Sequence, residues 1–96
     1  MIFLSGTQAC DGNDPEWTLN AGGGERSYVR RVAFQSGFSN VPMVTTNLTG
    51  LDISKGCAKF YIGVENVDST GFDLQLKTWG DTQVWAVVVN WLAIGL

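Results

Sequence analysis

Cys57-Ala58-Lys59-Phe60-Tyr61-Ile62-Gly63-Val64-Glu65 is followed, after the turn residues Asp68-Ser69-Thr70-Gly71, by Phe72-Asp73-Leu74-Gln75-Leu76-Lys77-Thr78-Trp79. In the first run Ala58, Phe60, Ile62 and Val64 fall at every second position. Phe72, Leu74, Leu76 and Thr78 do the same in the second run. A period of two is that of a half-buried strand, and two such runs around a short polar turn make a β-hairpin. Asp73, Gln75, Lys77 and Trp79 then face outward.

The rest of the chain extends this antiparallel pair in both directions. In residues 28–34, Val32 and Phe34 share one face and Arg31 takes the other. Beyond Gly37 and the turn signal Asn40-Val41-Pro42, the Thr-rich residues 43–49 suit a strand, and residues 50–56 read as a polar loop. Met1-Ile2-Phe3-Leu4 is apolar but lacks the basic start and roughly 7–15-residue apolar core of a signal peptide. Residues 2–8 therefore read as the first strand of a mature chain. Residues 84–94 differ from the others. Trp85, Val87, Val89, Trp91 and Ala93 line one face, while Val84, Ala86, Val88, Leu92 and Ile94 line the other. A strand apolar on both faces is covered on both, either by another subunit or by a long loop of this chain. Six strands without helical periodicity predict an all-β fold, a six-stranded antiparallel β-sandwich in one domain spanning residues 1–96. Residues 9–27 show no period, and Trp17 is expected to pin that segment to the body.

Composition removes whole classes of function. The 96 residues hold 6 cations against 9 anions, a net charge of -3, and only Arg30 and Arg31 are adjacent cations. Nucleic-acid binding, which needs clustered cations, is not expected. No apolar run approaches the roughly 20 residues of a membrane-spanning helix, so no membrane insertion is expected. With no histidine, neither a Ser-His-Asp triad nor the usual mixed zinc site can be assembled. No cofactor and no metal are expected. Asp11-Gly12-Asn13-Asp14 lacks the spacing of a calcium loop and reads as a turn. Glu65 and Asp73 read as solvated carboxylates rather than a glycosidase pair. Cys10 and Cys57 are compatible either with one disulfide or with two free thiols. Asn47-Leu48-Thr49 is an acceptor sequon for N-glycosylation, which points to secretion.

Trp79 occupies an outward position at a strand end beside Gly80-Asp81-Thr82, with Trp85 across the same turn. An exposed indole next to small and acidic residues can stack the apolar face of a galactose-like ring while hydroxyls find directional partners. Both tryptophans are equally readable as rim residues of the core. Gly22-Gly23-Gly24 offers backbone groups without obstruction, or is simply a surface loop.

Gly71-Phe72, Thr78-Trp79, Asp81-Thr82 and Trp91-Leu92-Ala93-Ile94 closely resemble the signature of the H-type lectins, the family of snail agglutinins, discoidin carboxy-terminal domains and octocoral galactose-binding lectins. Ser5-Gly6, Cys10, Trp17, Val32 to Phe34, Pro42-Met43-Val44 and Leu51-Asp52 fall in matching order, so the resemblance covers nearly the whole chain. It is most like the octocoral members. The resemblance implies a six-stranded sandwich assembled as trimers or stacked hexamers. Sites for galactose or N-acetylgalactosamine would lie at the boundaries between protomers. Trp79 falls on the stacking tryptophan, Trp85 on a second aromatic wall, and Lys59 on a hydroxyl-binding arginine whose planar fork it lacks. The family's sugar-binding aspartate aligns near Gly23, leaving Asn20, Gly22, Gly23 or Glu25 to substitute, and a histidine is replaced by Gly80. Cys10 matches the family's first disulfide partner, the second partner's usual position holds Leu76, and with Cys57 at the start of the adjacent strand a Cys10–Cys57 bridge is expected. The expected protein is thus a secreted, oligomeric, non-enzymatic lectin acting in agglutination or cell recognition. The alternative is a β-sandwich whose apolar strand serves structural self-assembly or protein partnering without sugar.

Overall fold

The computed structural model describes residues 1–54 and 57–96. Six strands run in chain order: β1 (Ile2–Asp11), β2 (Arg26–Ala33), β3 (Met43–Ser54), β4 (Phe60–Asp68), β5 (Gly71–Thr78) and β6 (Gln83–Gly95). They form two antiparallel three-stranded sheets, ordered β1-β6-β3 and β2-β5-β4, and no helix occurs among the described residues. The six-stranded antiparallel sandwich expected from the alternating pattern is what the chain adopts.

The hairpin that anchors the sequence reading keeps its faces. Phe72, Leu74, Leu76 and Thr78 are fully buried, and Phe60, Ile62 and Val64 pack against them from β4. From the opposite sheet Val84, Val87, Val89, Trp91 and Ala93 close the core. Each fully buried apolar side chain contributes about 1.5–3 kcal/mol. At one end Phe34, Phe38, Phe72 and Trp91 cluster with ring centroids 5.2–6.0 Å apart. The β1–β2, β3–β4 and β5–β6 connections lie at the other end.

Three expectations need correction. β3 does not stop at residue 49 but continues to Ser54 through a β-bulge between Leu48 and Gly50. The bulge leaves Thr49 without a partner on β6, and its hydroxyl donates to the Val88 carbonyl at 3.1 Å. The 50–56 loop is correspondingly shorter, and its Lys55-Gly56 portion lies outside the described residues. Second, Trp85 does not share the inner face of Val87 and Val89. Asp52 pairs with Ala86 but Ile53 with Val84, so Trp85 is the extra residue of a bulge. The phase slip turns Trp85 out to 42% exposure and returns Val84 to the core; period-two counting has no way to register one inserted residue. Third, no Cys10–Cys57 bridge forms. Cys10 is a free thiol buried between the sheets, while Cys57 precedes β4 as an exposed free thiol.

Trp17 does pin the β1–β2 connection. Its Nε1 donates to the Val84 carbonyl at 2.9 Å, the Val84 amide donates to Leu19, and the Gly12 amide donates to Trp85. Asp11 and Asp14 accept from the amides of Asn13 and Glu16, making residues 11–17 two successive turns.

The outer face of the β1-β6-β3 sheet reads in cross-strand rows. Phe3, Ile94 and Met43 form one, Ser5, Leu92 and Thr45 the next, then Thr7, Asn90 and Asn47. Phe3 is 62% and Met43 67% exposed, with Leu92 exposed between their strands, so no described loop covers this face. Of the two covers considered for a doubly apolar β6, a loop of the same chain is ruled out for these residues.

Candidate functional site

The β1–β2 and β5–β6 connections are joined by one side chain. Arg26, the first residue of β2, spends all five guanidinium N–H donors on backbone carbonyls. Nε donates to Gly24 at 2.9 Å, Nη1 to Ala21 at 3.0 Å and Leu19 at 3.4 Å, and Nη2 to Thr82 at 2.8 Å and Gly80 at 3.1 Å. A planar fork is the one side chain able to hold carbonyls of two loops in one plane. The Gly24 amide adds a bond to the Gly80 carbonyl at 3.1 Å. The glycine run is thereby an ordered wall rather than a free loop.

Two buried threonines tie the third connection to the same turn. Thr78 Oγ1 donates to the Lys59 carbonyl at 2.6 Å and Thr82 Oγ1 to the Cys57 carbonyl at 2.7 Å. Lys59 then extends along Gly80, since a Cβ on Gly80 would stand 3.3 Å from Lys59 Nζ. Gly80 itself has φ +68°, a left-handed conformation that a side chain would strain.

Beside this turn Trp79 stands 41% exposed at the lip of an open groove of about 350 Å³, lined by Glu25, Tyr61, Lys77 and Trp79. Of the residues singled out in sequence, Trp79, Gly80 and Lys59 come together. Gly23 approaches the Gly80 carbonyl, and Gly22 belongs to the same loop with open space above it. Asn20 and Trp85 line a separate groove of about 340 Å³ with Asp11, Gly12 and Asn13. There the Trp85 Nε1 donates to Ser54 Oγ at 3.0 Å. Within one protomer the two tryptophans therefore do not form one platform.

Sequence reasoning missed Arg26, Tyr61 and Lys77. A signal for Arg26 existed: a cation directly after a glycine-rich run, where short turns leave carbonyls unpaired. Tyr61 carried a fainter one, an outward aromatic two positions before a glycine.

The neighbouring ionisable groups are structural. Tyr28 donates to Asp14, and Arg30 lies 3.9 Å from the same carboxylate. Burial, with that bond, pushes Tyr28 up to about 12, while the Tyr28 hydroxyl holds Asp14 below the usual carboxylate range. Burial also raises Cys10, because desolvation disfavours the thiolate. Glu65 and Asp73 are cross-strand partners, but Asp73 is bonded to Arg31 and Asn66 on the open face of the sheet, which offers no acid–nucleophile pair.

A family model described as the H-type lectin domain matches residues 29–94. The chain is 41% identical over 80 residues to the ATP synthase subunits region ORF 7 protein of Fuscovulum blasticum, covering 82% of this chain and 67% of that one. It is 33% identical over 79 residues to discoidin-2 of Dictyostelium discoideum, covering 80% of this chain and 31% of that protein. The solved structure of recombinant discoidin II from the same organism superposes with a TM-score of 0.83 at 28% identity, covering 97% of this chain and 37% of that one. The chain thus spans about a third of the length of the discoidins it matches. The sandwich, the exposed tryptophan at its loop-bearing end and the matched family all agree, and the chain belongs to the H-type lectin family, a family of carbohydrate-binding and not sugar-cleaving domains.

Proposed function

We propose that this chain is a secreted, multivalent lectin that takes terminal galactose or N-acetylgalactosamine, with Trp79 as its stacking surface. The observation that carries the reading is the Trp79 indole, 41% exposed on a turn whose backbone is held beside Lys59 by hydrogen bonds from Arg26, Thr78 and Thr82. The apolar face of a galactose ring lies against the indole, and its hydroxyls reach the Lys59 ammonium and backbone groups of the Gly22-Gly23 loop. Because the loops are already ordered, little conformational entropy is lost on binding.

A single shallow site of this kind binds weakly, since sugar hydroxyls exchange water bonds for protein bonds at little net gain. Strength then comes from assembly into homotrimers or hexamers whose sites engage a glycan-covered surface together, in agglutination or cell recognition. The outer face of β1-β6-β3, with Phe3, Met43 and Leu92 exposed, supports copies of this chain packing there. In such an assembly Asn20 and Trp85 of one copy are available to complete the site of the next. Asn47 lies mid-strand on this same face, opposite Asn90. A glycan on it would stand where a neighbouring copy packs, so modification of Asn47 and assembly through this face compete.

Titration calorimetry of galactose and N-acetylgalactosamine into the parent and Trp79→Ala tests the reading. At least tenfold loss in the variant with an unchanged melting temperature is the expected result. Equal affinity in the two proteins would move the site elsewhere. A folded oligomer that responds to neither sugar would favour the self-assembly alternative.

A further inference from the structure

The Trp79 groove runs on past the indole, along the outer face of β2-β5-β4. Lys77, two residues before Trp79, faces the same way and is paired across the sheet with Tyr61. Two residues along a strand are about 6.6–6.8 Å apart, and diagonal neighbours across a pair stand about 7–8 Å apart. Trp79 and Tyr61 are such a diagonal, with Lys77 on the floor between them and Glu25 on the groove wall.

The lie of the Tyr61 ring explains why the groove is open. A Cβ on Gly63 would come within 2.8 Å of the Tyr61 ring and its hydroxyl oxygen, so the ring folds down over Gly63 and away from Trp79. Any side chain at position 63 would push it back. Lying there, the phenol remains 46% exposed, with Lys77 Nζ 5.6 Å from its centroid. One side of the ring rests on Gly63 and the other carries only the loose cation–π contact of the Lys77 ammonium, which a pyranose can displace from the ring and take up as a hydrogen-bond donor.

We infer that Tyr61, Lys77 and Glu25 form a second saccharide subsite, holding the penultimate unit of a glycan whose terminal galactose or N-acetylgalactosamine sits on Trp79. The inference rests on the lectin reading above and names the larger ligand that the same groove takes. The second pyranose stacks on Tyr61. Lys77 donates to its hydroxyl oxygens and Glu25 accepts from its hydroxyls. One cation and one anion on the groove wall suit a neutral, hydroxyl-bearing unit rather than a sulfated or sialylated one.

The test compares methyl galactoside with neutral galactose-terminated disaccharides of β-1,4, α-1,3 and α-1,4 linkage by calorimetry, on the oligomeric parent and on Tyr61→Ala and Tyr61→Leu. At least one linkage is expected to bind the parent about tenfold more tightly than methyl galactoside. Both variants should lose that advantage while keeping the parent's affinity for methyl galactoside. Tyr61→Leu keeps an apolar cover over Gly63, which guards against a folding defect in Tyr61→Ala. Methyl galactoside binding without any disaccharide advantage, or an advantage that survives both substitutions, overturns the subsite and leaves the lectin reading standing. Loss of methyl galactoside binding in both folded variants would make Tyr61 part of the first site and overturn a separate one. If the parent binds no sugar at all, both readings fall together.

Discussion

The two sheets present opposite kinds of outer surface. On β2-β5-β4 the outward rows carry Ser27, Lys77 and Tyr61, then Val29, Gln75 and Gly63, then Arg31, Asp73 and Glu65. Arg31 bonds Asp68 at 2.8 Å and Asp73 at 3.3 Å. That is a face made to remain in water. On β1-β6-β3 the rows of Phe3, Ile94 and Met43 and of Ser5, Leu92 and Thr45 carry no charge. The lesson is that two sheets of similar inner composition differ outside: one outer face is laced with ion pairs, while the other stays uncharged from the Phe3 row to the Thr7 row and carries carboxylates only at its Asp11 and Asp52 end.

The largest effect that would break this contrast is on assembly. Val88→Asp puts a charge midway along the outer face of β6, in the row of Ala9 and Gly50, and light scattering after gel filtration is expected to find it monomeric. Val29→Asp, an equal change on the opposite face, should run as the parent does. If both keep the oligomer, the β1-β6-β3 face is not the interface. A smaller effect falls on the end where the sheets meet. Arg26→Ala removes five hydrogen bonds, with the Leu19 and Gly80 carbonyls keeping a backbone amide each and those of Gly24, Ala21 and Thr82 losing the guanidinium, and should cost about 2–3 kcal/mol in denaturant unfolding. Sugar binding should be lost with it. Arg26→Lys should not restore binding, because an ammonium cannot reproduce the fork.

The smallest effect concerns the β4–β5 hairpin on the charged face. Asp68 accepts from the Thr70 hydroxyl and amide and from the Gly71 amide. The Thr70 hydroxyl, then its amide and the Arg31 guanidinium, holds Asp68 down at about 2. A carboxylate lowered on folding stabilises the fold above its ordinary value near 4, and that contribution is lost as pH falls toward 2. The protection of the Thr70 and Gly71 amides, measured against intrinsic exchange at each pH, should therefore fall over that range, and Asp68→Asn should flatten the dependence. A hairpin equally protected at pH 2 and pH 5 would show that the aspartate is not its clasp.

What the sequence made legible follows from how local each signal is. The hairpin from Phe60 to Thr78 was readable because inside and outside alternate within one element and the turn lies between. Trp79 was readable for the same reason, as an outward residue just beyond a strand. Trp85 was not, because a bulge is decided by the partner strand: Asp52 and Ile53 skip it, and nothing in residues 83–87 records that. The Cys10–Cys57 pairing failed because the family's second partner position holds Leu76, and Cys57, taken in its place from the adjacent strand, is exposed while Cys10 is buried. Arg26 lay hidden because its five acceptors are backbone carbonyls, present at every position and marked by no residue type.

β1 pairs with β6 from Ile2 opposite Gly95, and the Ser39 amide reaches the Leu96 carbonyl. The first and last residues therefore sit side by side at the end of the sandwich remote from Trp79. Anything attached to either of them, whether a fluorophore, a surface linker or a fused protein, hangs on the opposite side from Trp79 and its groove. The fold thus offers a handle: mounted on a surface by the end that carries Ile2 and Gly95, it turns the loops around Trp79 outward.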